Sequence, residues 1–345
     1  MVESLASGVL LAVAGGVMNG SFSVPMKFTT NWSWANTWLV YSVVGLLLIP
    51  VGLAVFSVPD LFAAYRASST QALALTVLFG FGWGIGSTLF GLGISRLGIA
   101  LGFAIILGLT AALGALIPLL VLTPQHLGTP QGTRILTGLA VVLVGIILCA
   151  RAGGLKNAET SGQDDGATAS AGESKASNYR TGLLICVAAG VLSSMLNLAL
   201  AFGAPIAESA VKTGASVAGA QNAVWALAVG TGSLVNIGYT LFLLFRDDGW
   251  RAYRTSGSNR NWLVSVAMGV LWMLGIVVYG AGASSLGDLG AIIGWPLFMA
   301  TVIVTSNIWG FVTGEWRQAR PAAIGYNIAG VIVLVAAILV ISQAG

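Results

Sequence analysis

Gly80-Phe-Gly-Trp-Gly-Ile-Gly-Ser-Thr-Leu-Phe-Gly-Leu-Gly-Ile-Ser-Arg-Leu-Gly98 returns later in the chain as Gly269-Val-Leu-Trp-Met-Leu-Gly-Ile-Val-Val-Tyr-Gly-Ala-Gly-Ala-Ser-Ser-Leu-Gly287. Aligned without a gap, eight of the nineteen positions are identical, and Trp83 falls on Trp272. A second echo relates Gly8-Val-Leu-Leu-Ala-Val-Ala-Gly-Gly-Val17 to Gly182-Leu-Leu-Ile-Cys-Val-Ala-Ala-Gly-Val191. These stretches are apolar and rich in glycine. A hydrophobic unit that occurs twice is how many membrane carriers build a site able to open to either side.

Composition widens that reading. Charged residues are 8% of the 345 and apolar residues 57%, against roughly 25% charged in soluble domains. Such a chain cannot keep a soluble surface wet. Runs of about 20 low-charge residues, enough to cross a hydrocarbon core of roughly 30 Å, recur at 5–26, 35–56, 71–94, 97–122, 133–150, 181–203, 219–245, 262–284, 289–312 and 321–342. Residues 151–179 are polar, biased to Gly, Ser and Ala, and read as a flexible cytoplasmic linker. They divide the spans five and five, into a first repeat over 1–150 and a second over 180–345. Five is odd, so the second unit enters the membrane the opposite way round. The expected fold is all-α and integral to the membrane, ten transmembrane helices forming two inverted five-helix repeats.

The isoelectric point near 9.3 could suggest nucleic acid. The placement of the charges says otherwise. Loops counted from the N-terminus hold twelve Lys and Arg where odd-numbered and three (Arg66, Arg134, Lys212) where even-numbered. That bias marks the odd loops as cytoplasmic and puts both termini outside. Residues 5–26 resemble a signal peptide in hydropathy, but Glu3 stands where a basic n-region belongs, so they read as the first retained span. Cys149, Cys186 and the single histidine, His126, form no ligand-spaced cluster, so no metal site, catalytic residue or cofactor is indicated. There is no Walker A sequence, hence no ATP in the reading. The glycines of Gly80 to Gly86 lie inside an apolar run, where helix packing explains them better than a dinucleotide loop.

The informative groups are neutral. Asn19, Ser87, Asn197, Asn222 and Asn236 carry donors and acceptors that lipid cannot satisfy, so they should face the bundle interior. Trp83 and Trp272 fall near mid-membrane, away from the interfacial belts, whereas Trp32, Trp34, Trp38, Trp309 and Trp316 fall at expected interfaces. Amides and indoles without fixed charge suit a neutral polyhydroxylated molecule, whose hydroxyls cost roughly 1–3 kcal/mol each to desolvate unpaired. Candidate substrate-binding residues are Asn19, Trp83, Ser87, Asn197, Asn222 and Trp272, with Trp225, Tyr279 and Trp295. A cationic drug would recruit a mid-span carboxylate, and none exists. Glu208 and Asp288, at the outer ends of spans, are the candidates for coupling transport to a proton. Residues 204–218 could form a short interfacial helix with Glu208 and Lys212 as an i,i+4 pair.

Particular runs go further. Pro25-Met-Lys27, Trp32-Ser-Trp34 with Trp38, Trp83-Gly-Ile-Gly86, Arg151-Ala-Gly, Pro205 with Glu208, and Gly314-Glu-Trp316 resemble the bacterial L-rhamnose–proton symporter family of the drug/metabolite transporter superfamily. The resemblance spans nearly the whole chain and is densest over 25–156. It implies a ten-helix carrier of the inner membrane working by alternating access, with a small neutral sugar, the proton and membrane lipid as partners. L-rhamnose or a related aldose is the implied substrate. A drug or metabolite exporter of the same superfamily is the alternative.

Overall fold

The computed structural model describes residues 2–97, 99–161, 172–255 and 257–343. Among them run ten long helices and no strand. These are α1 Val2–Ser21, α2 Trp34–Ser57, α3 Thr70–Leu97, α4 Ile99–Val121, α5 Pro130–Ser161, α6 Gly172–Phe202, α7 Val217–Arg246, α8 Ser258–Ser285, α9 Gly290–Val312 and α10 Pro321–Ser342. Each contains a window long and apolar enough to cross a membrane. The chain is a multi-pass membrane protein, and the ten expected spans each fall on one helix. Helices α5 and α6 run on into the polar stretch, to Ser161 and from Gly172, while residues 162–171 of that stretch lie outside the described residues.

Local chemistry sets several ends. Ser33 and Asn36 form a reciprocal capping box at the start of α2, satisfying N–H groups that the first turn leaves free. Pro130 and Pro321 open α5 and α10, where a missing N–H costs nothing. Within α2, residues Ser42–Leu48 widen into a π-helical stretch. The expected helix in the loop after α6 forms over Ala204–Lys212. Its Glu208 and Lys212 are not within ion-pair distance of each other, and Glu208 lines a cavity described below.

Lipid supplies no hydrophobic force between helices, so close backbone approach holds them together. Gly45 meets Gly269 so closely that a Cβ on Gly45 would lie 2.5 Å from the Gly269 Cα. Gly84 meets Gly232, and Gly15 meets Gly275, in the same way. The helices pair in a recurring pattern. α1 packs on α8 and α9, α6 packs on α3 and α4, and α5 packs on α10. The largest of the buried apolar clusters includes Tyr41, Trp83, Trp225, Trp272, Tyr279 and Trp295. Leu10, Phe56, Leu184, Phe245, Leu263 and Ile332 lie on the exposed perimeter. Lys27 after α1, Lys156 of α5 and Glu315 before α10 meet, as do Trp32 before α2 and Ala252 before α8, and their side of the bundle is here called the odd face. Residues following α2, α4, α6 and α8 line one cavity, and their side is called the even face.

Candidate functional site

A cavity of ≈ 670 Å³ enters from the even face, within the size range of small-molecule sites. Its walls are the start of α3, the end of α4, the end of α6 with the short helix after it, Gln221 of α7, the end of α8 and the start of α9. The polar groups on them are neutral hydroxyls and amides, Ser69, Gln71, Thr123, Gln125, Gln221 and Ser284. Glu208 is the charged side chain among the described lining residues. Two of these groups are unsatisfied. Thr123 Oγ1 and Gln221 Oε1 are buried without a hydrogen-bond partner, a condition that costs about 1–3 kcal/mol unless water or a ligand relieves it.

One helical turn below this floor lies Asn197, fully buried. Its Nδ2 donates to the Gly114 carbonyl at 2.7 Å and the Ala291 carbonyl at 2.8 Å, and its Oδ1 accepts from the Tyr279 hydroxyl. The Gly114 carbonyl is free for this because Pro118, four residues on and inside α4, has no N–H to give it. Trp295 lies across the same place. Its Nε1 donates to the Thr110 carbonyl at 2.9 Å, and its indole rests where a side chain on Gly114 would be, 2.3 Å from a built Cβ. The Tyr279 ring packs on Trp295 at 5.7 Å and Trp225 at 6.4 Å between centroids. Asn197, Trp225, Tyr279 and Trp295, from four different helices, thus form one plug beneath the cavity.

Two turns further along α8, roughly 10 Å at 1.5 Å per residue, a second group closes the odd half. Trp83 and Trp272 stack with centroids 5.2 Å apart. Asn19 Nδ2 reaches the Trp272 carbonyl at 3.4 Å. Asn236 Nδ2 donates to Ser87 Oγ at 2.9 Å, and Trp38 Nε1 donates to Asn236 Oδ1 at 3.1 Å. Trp38, part-buried one turn into α2, thus joins this network through its indole N–H.

The candidate residues therefore fall in two connected groups, with three exceptions. Asn222 sits apart, its Nδ2 bonded to Ser57 Oγ at 3.0 Å near the even end of α2, and its Oδ1 unpartnered. Glu208 is exposed at the cavity wall. The Asp288 side chain lies outside the described residues. Sequence reasoning passed over Gln71, Thr123, Gln125 and Gln221 because they sit at helix ends, where polar residues are ordinary. Their shared signal is three amides on the even face of three different spans.

Charged groups from three parts of the chain meet on the odd face. Lys27, after α1, donates to Glu315 in the loop before α10 and to Thr313 Oγ1 at 2.6 Å. Lys156 of α5 approaches Glu315 at 3.7 Å and lies 5.0 Å over the Trp316 ring. Gly314, at φ +78°, makes the turn that presents Glu315 to both lysines, a left-handed conformation that favours glycine.

A protein-family model described as L-rhamnose-proton symport protein (RhaT) matches residues 1–344. The chain belongs to that family. It is a family of symporters and not of enzymes. Among its relatives, the L-rhamnose-proton symporter of Cronobacter sakazakii is 29% identical over 353 aligned positions, covering 99% of this chain and 98% of the relative. Those of Klebsiella pneumoniae and Citrobacter koseri are each 27% identical, with the same coverage. The family membership and the even-face cavity converge on a membrane carrier.

Proposed function

We propose that this chain imports L-rhamnose or a closely related neutral aldose across the bacterial inner membrane together with a proton. Two inverted repeats expose a central site to each side in turn. The names of the relatives support the substrate class. The observation that carries the reading is the cavity itself: neutral amides and hydroxyls, two of them unsatisfied, leading to the Asn197–Tyr279 plug. A deoxyhexose carries hydroxyls for those groups and an apolar face for the indoles beneath.

The recurring helix pairings support the inverted repeat. Exchanging α1 with α6, α8 with α3 and α9 with α4 maps the pairs α1–α8 and α1–α9 onto α6–α3 and α6–α4. The charge bias places the odd face in the cytoplasm, so this conformation is open outward and closed inward by Lys27, Lys156 and Glu315. Transport then requires the plug to part and the charged closure to open. Glu208 is the proton-coupling candidate that the cavity supports, and Asp288 follows on the neighbouring even-face turn.

The test is uptake into proteoliposomes holding the purified chain. L-rhamnose is expected to accumulate when the outside is acidic, and Glu208→Gln is expected to lose accumulation while keeping sugar exchange. Exchange of a cationic drug or metabolite in the absence of any sugar flux would replace this reading with the exporter.

A further inference from the structure

A second cavity, of ≈ 570 Å³, lies on the odd face, away from the sugar route. One wall is the apolar side of α2 at Val43 and Val44, two to three turns into the membrane from Trp34. The other carries Trp250 and Trp262, with Arg251 and Arg254 in the segment linking α7 to α8. An apolar wall at membrane depth, capped by two guanidinium groups at the surface, is the shape of an anionic amphiphile in reverse. Basic pockets between helices on the cytoplasmic side bind lipid head groups for this reason, and arginine matches phosphate oxygens bidentately.

Two details of this place bear on what it holds. Arg251 pairs with Asp248 at 3.1 Å, and Arg246 with Asp247 at 2.7 Å, but Arg254 has no ion-pair partner among the described residues. Trp250, which lines the same cavity, keeps its indole N–H buried without an acceptor. Arg254 thus borders a groove whose wall is apolar, beside a tryptophan whose buried N–H is unused.

We infer that this groove holds one anionic phospholipid of the cytoplasmic leaflet, its phosphate on Arg254 and Arg251 and an acyl chain along Val43 and Val44. The bound lipid ties the α7–α8 connection to α2.

Thermal unfolding of the purified full-length chain in mild detergent tests this, with added phosphatidylglycerol, phosphatidylcholine or inorganic phosphate. Phosphatidylglycerol is expected to raise Tm, and the other two are not. Arg254→Gln should remove at least half of that rise. Val44→Trp, which fills the groove and leaves both arginines in place, should remove it as well. Arg66→Gln, on the even face, should leave it whole. An equal rise with phosphatidylcholine would overturn the site, as would one with inorganic phosphate alone. A full phosphatidylglycerol rise in both Arg254→Gln and Val44→Trp would do the same.

Discussion

Asn197 shows how one residue turns a backbone defect into a junction. Pro118 deprives the Gly114 carbonyl of its helical partner, and the Asn197 amide takes it while also binding α9 and Tyr279. Removing single members should therefore cost unequally. Tyr279→Phe leaves one acceptor unpaired, and interhelical bonds in membranes are worth about 0.6–2 kcal/mol. It should lower Tm modestly and keep some uptake. Asn197→Ala strands three groups at once and should abolish saturable L-rhamnose uptake, with protein still present in the membrane fraction. Equal uptake in both variants would remove the plug from the transport path. The asparagines were legible as interior groups because lipid leaves them no alternative. Their partners were not, since nothing in the local sequence announces that Asn197 meets Gly114 or that Asn222 meets Ser57.

At the scale of elements, glycine reads differently by position. Gly45 and Gly269 meet backbone to backbone, so Gly45→Leu should prevent α2 and α8 from packing and leave little folded protein after detergent extraction. Gly91→Leu should be tolerated, because a Cβ there meets nothing within 4 Å and the position is exposed. Fluorescence-detected size exclusion of the two variants gives the comparison. Gly91 and Gly280 are identical positions of the repeated motif, yet Gly280 lies against the Trp225 indole, 2.6 Å from a built Cβ. The motif thus reports ancestry at one copy and packing at the other. Span number was plain from hydropathy, since about 20 apolar residues admit few structures in lipid, but the ends of α5 and α6 were not, because both helices continue to Ser161 and from Gly172 through residues read as a flexible linker. The π-helical stretch of α2 was not, because its cause lies in the helices around it.

For the whole molecule, the two faces are held by different forces. The even face carries a cavity lined by neutral groups, while Lys27, Glu315 and Lys156 pair on the odd face. Burial pushes the Glu315 carboxyl up, but the hydrogen bond and charge of Lys27 and the charge of Lys156 outweigh it and hold the group below its usual value. A carboxyl depressed in the folded state lends stability above its unfolded pKa, about 4.3, and loses it as pH falls through the folded one. Thermal stability should therefore decline through that acid range, and Glu315→Gln should flatten the decline; an unchanged acid limb would assign the loss elsewhere. The half-exposed setting of this cluster keeps the effect small.

The stacked pair of Trp83 and Trp272 has an optical consequence. Each half of the chain contributes one indole, and at 5.2 Å between centroids their electronic transitions couple. Trp34 and Trp38 stack closer still, at 4.9 Å, so the share of the aromatic circular dichroism that belongs to Trp83 and Trp272 is the difference between the spectrum of the unaltered chain and those of Trp83→Phe and Trp272→Phe. That difference works as a label-free gauge of how closely the two indoles stand.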